Sequence, residues 1–198
     1  MTDTAATDAG PLVGVLALQG DFGAHARMLT ALGARVREVR TPADLDDLEG
    51  LVIPGGESTT MTLGVAREGL EQPLKDLAAS GAPLLGTCAG LIMLDRAHLG
   101  ILDVDARRNA FGRQIRSFEA DLQLTGITAE AEPMRAVFIR APWVAAHGAG
   151  VEVLAEVDGH AVAVRQGDVI AVSFHPEITG DDRLHAEFVR RVRARRAA

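Results

Sequence analysis

Two short segments of this chain carry residues equipped for nucleophilic chemistry. Cys88 is the only cysteine among 198 residues, and glycine stands two positions before it and two after, in Gly86-Thr87-Cys88-Ala89-Gly90. This is the spacing of a nucleophile elbow, with sulfur in place of oxygen. A strand enters a turn so tight that a side chain at either bracketing position would collide, and a helix follows. Leu84-Leu85 supply a buried strand and Leu91-Ile92-Met93-Leu94 an apolar helix over about 89–98. A helix that starts just past Cys88 turns the positive end of its dipole toward the sulfur and favours the thiolate. A lone cysteine is otherwise a small buried hydrophobe, and the glycine bracket is what sets this one apart.

A cysteine nucleophile needs a base, and the base needs an orienting group. Ser173-Phe174-His175-Pro176-Glu177 provides both at the end of an apolar run. In extended chain, residues two apart face the same side, so Glu177 can lie beside His175 and orient its imidazole. Pro176 holds His175 in extended backbone and suits an irregular strand end. The other five histidines read as structural. A third segment, Pro54-Gly55-Gly56-Glu57-Ser58-Thr59-Thr60, follows the strand Leu51-Val52-Ile53. A Gly-Gly pair there exposes backbone N–H groups where open parallel sheets bind ligands, and Ser58 or Thr59 can cap the next helix. Taken alone, it is equally well a glycine turn with a cap.

The elements that position these residues alternate as in an α/β protein. Leu12 to Leu18 is a continuous apolar run, as in a strand buried on both faces. A helix over 22–32 follows, with Asp21 as its cap and Gly33 as its stop, and then a strand over 35–40. Strand, helix, strand in this rhythm implies a parallel sheet. Two helical pieces, 61–69 and 71–80, break near Gly69 and Pro73. Past Gly100, short alternating runs over 118–124, 136–139, 151–157, 161–165 and 169–174 add antiparallel strands, with hairpin turns at Asp158-Gly159 and Gly167-Asp168. A helix over 181–196 closes the chain. It has Leu184, Phe188 and Val192 on one stripe and an arginine run that reads as a solvated basic face. The expected fold is a three-layer, flavodoxin-like α/β architecture: a mostly parallel sheet, helices on both faces, and added antiparallel strands in the C-terminal half. Residues 1–11 read as a disordered polar tail and 12–198 as one domain.

Composition excludes several classes. A formal charge of −7 argues against general nucleic-acid binding. One cysteine makes no internal disulfide and fits a cytoplasmic protein. No segment approaches the length of a membrane span, and Met1 to Gly10 has no features of a signal peptide. Lys75 is the single lysine, so there is no Gly-Lys-Ser/Thr phosphate loop, and Schiff-base chemistry would have to use Lys75. No spacing of His, Cys and carboxylate suggests a metal site.

Taken in order, Pro54-Gly55-Gly56-Glu57-Ser58, the Gly86–Gly90 elbow and His175-Pro176-Glu177 resemble a class I (triad) glutamine amidotransferase. Four stretches are similar, more narrowly, to the glutaminase subunits of pyridoxal 5′-phosphate synthase. These are Val13-Gly14-Val15-Leu16-Ala17-Leu18-Gln19-Gly20, Arg108-Asn109-Ala110-Phe111-Gly112-Arg113-Gln114, Phe138-Ile139-Arg140-Ala141-Pro142, and Ser173 to Glu177. The resemblance spans about residues 12–194. It departs from the family pattern over 93–108, where Asp95-Arg96-Ala97-His98-Leu99-Gly100 replaces a longer, more polar loop.

The resemblance implies a catalytic Cys88, His175 and Glu177 that hydrolyse L-glutamine through a γ-glutamyl thioester. It implies an oxyanion hole from Gly56 and Ala89, with Gln19 helping to assemble it. It places glutamine against Gly55, Gly56, Glu57, Arg108, Ile139 and Arg140, with the arginines suited to the α-carboxylate and Glu57 to the α-ammonium. It implies no cofactor and no metal. It also implies delivery of ammonia to a barrel-shaped synthase subunit within a large hetero-oligomer, and weak activity until that partner docks. The rival readings are a glutaminase of another biosynthetic complex, a non-catalytic regulatory module on the same fold, and a cysteine peptidase.

Overall fold

A computed structural model describes residues 10–108, 117–127 and 132–197. Residues 1–9 of the expected tail and 109–114 of the Arg108–Gln114 segment lie outside the described residues. The chain begins with β1 (Leu12–Leu16), α1 (Phe22–Ala31) and β2 (Arg35–Val39), then a 3₁₀ turn (Pro42–Leu45). β3 (Gly50–Ile53), α2 (Ser58–Arg67), α3 (Glu71–Ala79), β4 (Leu84–Thr87) and α4 (Ala89–Leu94) follow. The second half contains β5 (Val104–Arg107), β6 (Ser117–Leu122), β7 (Met134–Ile139), β8 (Trp143–His147), β9 (Glu152–Val157), β10 (His160–Gln166) and β11 (Val169–Val172). Two helices, α5 (Pro176–Thr179) and α6 (Arg183–Arg196), end it.

The main sheet runs β2-β1-β3-β4-β11-β10-β8-β5, with β9 paired to β10. Its first five strands are parallel, and the strands beyond β11 are antiparallel. Alternation along the central strands divides their side chains between two cores. Val13, Val15, Val52, Leu85, Ile170 and Val172 meet Leu29 of α1 and Leu184, Phe188 and Val189 of α6. Leu16, Leu51, Ile53 and Leu84 meet Met61 of α2, Leu74 of α3, and Leu91 and Leu94 of α4. The three expected layers are therefore present. Parallel strands buried on both faces read as unbroken apolar runs, and this is why their positions were legible.

Several details differ from the expectation. β11 counts among the antiparallel additions by sequence, yet it pairs parallel with β4, with Val172 opposite Thr87, and only its other edge is antiparallel. Nothing local in Val169–Val172 specifies which neighbour it joins. β6 and β7 form a separate hairpin rather than extending the sheet. Phe118 stacks on Phe138, and Phe138 meets Phe174 edge-on, so the hairpin is held by aromatic packing across one face. β5 and β8 carry no clear alternation in sequence and are found only as ladder partners. Pro73 does not break a helix but sits in the first turn of α3, where its missing N–H costs nothing. The elbow helix stops at Leu94 because the Asp95 carboxylate accepts from the backbone N–H groups of Ala97 and His98 and folds the chain back. The terminal arginines are more than a solvated face: Arg193 donates to the Leu32 carbonyl and Arg195 to the Ser80 carbonyl, at the C-terminal ends of α1 and α3.

The elbow itself is packed backbone to backbone. A Cβ on Gly86 would lie 2.9 Å from the Gly90 carbonyl, and a Cβ on Gly90 would run into the Ile53 carbonyl oxygen of β3. Neither neighbour is a flexible side chain, so neither can give way cheaply. Gly90→Ala is expected to lower the stability to urea unfolding by about 2–3 kcal/mol, the cost of overpacking a rigid contact. An unchanged unfolding midpoint would show that the elbow tolerates the displacement.

Candidate active site

The residues singled out by type come together at the C-terminal edge of the parallel strands, where open α/β sheets place their ligands. β1, β3, β4 and β11 are consecutive neighbours. Gln19, Gly55-Gly56, Cys88 and His175 lie just beyond the ends of these four strands. The Cys88 N–H donates to the Val172 carbonyl at 2.8 Å, so the β4–β11 ladder continues to the nucleophile. The His175 N–H donates to the Val137 carbonyl at 2.9 Å, which ties the base to the β6–β7 hairpin as well.

Cys88 has φ 49° and ψ −105°. A non-glycine residue with positive φ costs of order 1–3 kcal/mol and persists only where its surroundings enforce it. Arg140, across the site, has φ 45°. The side chain of Cys88 opens into a cavity of about 300 Å³, the lower end of the size range for small-molecule sites. Gln19, Gly56, Glu57, Cys88, Ala89, Arg108, Ile139, Arg140 and His175 line it, together with Ser58, Ile92 and Pro142, which are not among the site residues expected from sequence. Those three are small or apolar, so their residue types gave no signal.

Two expected residues stand behind the cavity wall. A Cβ on Gly55 would meet the His175 ring at 2.5 Å and the Cys88 Cβ at 3.3 Å, so this position must be glycine for base and nucleophile to approach. Glu177 is buried behind His175, whose Nδ1 lies 2.7 Å from Glu177 Oε1. The pairing does not arise from extended chain as expected. His175 has φ −112° and ψ 87°, and Glu177 lies in the first turn of α5, so the chain bends from strand to helix between them.

Burial opposes a charge on His175. Its hydrogen bonds to Cys88 and Glu177, and their negative charges, outweigh that penalty and raise the imidazole to about 10. For Glu177, burial again favours the neutral form, but the hydrogen bond from His175 and the charges of His25 and His175 prevail and lower its pKa. The site therefore favours an imidazolium whose Nδ1 faces the Glu177 carboxylate and whose ring lies beside Cys88. That arrangement gives a sulfur beside a proton acceptor and an acid able to protonate a leaving group.

The rest of the cavity can read a zwitterion. Glu57, not Ser58 or Thr59, caps α2: its carboxylate accepts from the Thr59 N–H at 3.2 Å and the Thr60 N–H at 2.8 Å. A carboxylate satisfies two orphan donors at once, whereas a hydroxyl satisfies one. The bonds from Thr60 and then Thr59 hold Glu57 below the usual carboxylate range. Gln19 Oε1 accepts from the Glu57 N–H and joins the β1 and β3 loops. Arg108 Nη1 donates to Thr59 Oγ1 at 3.0 Å, closing one wall. Among the described residues, no group of three His, Cys, Asp or Glu side chains is arranged to hold a metal, and no helix is long and apolar enough to cross a membrane.

Behind Glu177 lies a feature that sequence reasoning missed. His25 of α1 and His185 of α6 are completely buried and joined, Nδ1 to Nε2, at 2.8 Å. His25 Nε2 lies 3.4 Å from Glu177 Oε2 and 3.3 Å from Thr87 Oγ1. The two histidines are 160 positions apart, so no local pattern links them.

Fold and site together define a triad cysteine hydrolase of the acyl-transfer class, built on a parallel sheet. Residues 15–194 match the model of the SNO glutamine amidotransferase family. The pyridoxal 5′-phosphate synthase subunit PdxT of Streptomyces coelicolor is 51% identical over 197 residues, covering 95% of this chain and 96% of the relative. The PdxT subunit of Mycobacteroides abscessus is 52% identical over 193 residues, covering 93% and 98%. A solved structure described as a glutamine amidotransferase superposes with a TM-score of 0.84 at 45% identity, covering 91% of this chain and 98% of its own. The chain belongs to the SNO glutamine amidotransferase family.

Burial holds the pKa of His25 and His185 below the ordinary 6.5, that of His185 at about 3. Below pH 6.5 the unfolded chain takes up these protons, whereas the folded chain resists them until lower pH. Each histidine therefore contributes stability that is complete above pH 6.5 and lost as pH falls, by about 1.4 kcal/mol per pH unit. The raised His175 acts in the opposite sense, with stability lost as pH rises from 6.5 toward 10. Urea midpoints measured between pH 7 and pH 5 are expected to fall less steeply in His185→Leu than in wild type. Parallel slopes would show that His185 carries a proton in the folded state.

Proposed function

We propose that residues 12–198 act as one glutaminase domain that hydrolyses L-glutamine to L-glutamate and ammonia, as the glutaminase subunit of a pyridoxal 5′-phosphate synthase. The observation that carries this reading is the Cys88–His175–Glu177 alignment, opening into a small cavity that also presents Glu57, Arg108 and Arg140. A side-chain amide attached to an α-amino acid matches that set of groups. The PdxT names borne by relatives about half identical to this chain support the choice of synthase.

In this reading the glutamine α-carboxylate lies against Arg108 and Arg140, and its α-ammonium faces Glu57. Gly55, Gly56 and Ile139 flank the side chain. The Cys88 thiolate attacks the amide carbon. The oxyanion forms against backbone N–H groups of Gly56 and Ala89, with Gln19 holding the Gly56-Glu57 turn in place. Each such donor is worth about 3 kcal/mol in a transition state. His175 gives its proton to the departing nitrogen, the C–N bond breaks, and ammonia leaves a γ-glutamyl thioester. His175, now neutral, takes a proton from water; hydroxide adds to the thioester, the C–S bond breaks, and glutamate departs as the thiolate and imidazolium are restored. Glu177 keeps the imidazole in the orientation both steps need.

The ammonia passes to a barrel-shaped synthase subunit in a hetero-oligomer, in the cytoplasm, and docking of that partner raises the activity. Pyridoxal phosphate is made by the partner and is not a cofactor of this chain.

Glutamate release from glutamine, followed with and without the synthase subunit, tests the reading. Wild type is expected to gain strongly from the partner. Cys88→Ala should lose about 10⁴-fold or more in kcat while still binding the partner, and Glu177→Gln about 10²- to 10⁴-fold. Glutamate release retained in Cys88→Ala would overturn the mechanism. Partner-activated wild type that released none would overturn the function.

A further inference from the structure

Glu177 has two carboxylate oxygens, and the triad uses one. Oε1 accepts from His175. Oε2 is buried and makes no hydrogen bond of ordinary length. A buried carboxylate oxygen with nothing facing it is costly. What faces it is His25 Nε2 at 3.4 Å, a nitrogen that also lies 3.3 Å from Thr87 Oγ1. The other nitrogen of His25 is 2.8 Å from His185 Nε2, and His185 Nδ1 is buried without a partner.

These contacts decide where the protons sit. One hydrogen lies between His25 and His185. If His25 Nδ1 carried it, the bare lone pair of His25 Nε2 would face the carboxylate. His185 would then carry its own proton on Nδ1, where no acceptor lies among the described residues. An orphaned buried donor costs about 1–3 kcal/mol. If His185 Nε2 carries it, His25 Nδ1 is the acceptor, His25 Nε2 bears the N–H that faces Glu177, and the orphaned His185 Nδ1 is only a lone pair. A doubly protonated His25 is opposed by its complete burial and by the His175 charge nearby, though Glu177 and Asp21 act in its favour.

We infer that His25 is a positioning residue of the reaction, held by His185 in the tautomer that directs its Nε2–H at the free oxygen of Glu177. Every donor then leads toward Glu177: His185 to His25, His25 to one oxygen, and His175 to the other. With both oxygens engaged, the carboxylate cannot rotate, so the imidazole plane that accepts and returns the catalytic proton is set. A neutral donor suits this task better than a cation. It fixes the carboxylate without drawing its charge away from His175. The chain of contacts crosses from α6 through α1 to α5 and so connects the triad to the helical layer on one face of the sheet.

The inference rests on the acid–base role proposed above for His175. Its test is steady-state glutamine hydrolysis by the complex with the synthase subunit, as a function of pH. His25→Leu removes the N–H. His25→Gln keeps one at the place of Nε2. His25→Leu is expected to lose about 10- to 100-fold in kcat, the range of a lost hydrogen bond to a charged group, with KM for glutamine little changed. Its acidic limb moves to higher pH, because Glu177 left with an unsolvated oxygen holds a proton more tightly. His25→Gln should recover most of kcat and return the limb to its place. In the wild-type chain, which needs no variant to fold, imidazole ¹⁵N NMR at pH 7 should show His25 protonated on Nε2 alone. An unchanged kcat and limb in His25→Leu would overturn the inference, as would equal losses in both variants with the limb unmoved. So would an Nδ1-protonated or charged His25. Inactivity of the wild-type complex toward glutamine would instead refute the glutaminase reading, and leave the NMR result to decide the tautomer.

Discussion

The backbone at Cys88 is the constraint on which the site depends. Its φ of 49° and ψ of −105° are held where an L-residue does not rest on its own. Three contacts enforce them: the ladder bond from Cys88 N to Val172, the closure of Gly86 onto Gly90, and the fit of Gly90 under the Ile53 carbonyl. All six residues of α4 are buried, Leu91 and Leu94 completely. Burying each of those leucines contributes about 1.5–3 kcal/mol, so the helix pulling away from the elbow outweighs the strain at its tip. What results is a sulfur at a sharp corner that faces the cavity, with first-turn backbone N–H groups beside it.

Everything else at the site is placed by reference to that corner. β3 and β11 flank β4, so their ends deliver the glycine loop on one side and the base on the other. Gly55 lies against both the His175 ring and Cys88, and a methyl group there would separate the pair. The β6–β7 hairpin is anchored by the Phe118–Phe138–Phe174 stack and brings Ile139 and Arg140 over the cavity from outside the main sheet. Electrostatics then follows geometry. A buried carboxylate and a sulfur share one imidazole, and the hydrogen bonds they offer it outweigh the desolvation that would otherwise keep it neutral.

The legible part of the fold and the unread part differ for physical reasons. Runs such as Leu12–Leu16 and Leu51–Ile53 announce themselves because a strand covered on both faces must be apolar throughout. Asp21 announces the start of α1 because an unsatisfied helix terminus needs a short acceptor, and its carboxylate does accept from the Ala24 N–H. Glu57, expected as a ligand group, caps α2, since its longer side chain curls back onto two N–H groups. β5 and β8 were not read at all. Partly exposed strands at the antiparallel end of the sheet carry mixed residues, and only their ladder bonds define them.

Local chemistry is thus written in the sequence where it acts over a few residues. Gly86-Thr87-Cys88-Ala89-Gly90 specified the tight turn and His175-Pro176-Glu177 the closeness of imidazole and carboxylate, because such short-range features depend mainly on residue type and spacing. Whatever spans the chain was decided by tertiary structure. The choice of β4 as the parallel neighbour of β11 set nucleophile beside base. The packing of α1 and α6 on one face of the sheet put His25 against His185 and both behind Glu177. Those two histidines carry no mark in the sequence, since a buried imidazole takes its role from the atoms around it, and here those atoms come from four separate segments of the chain.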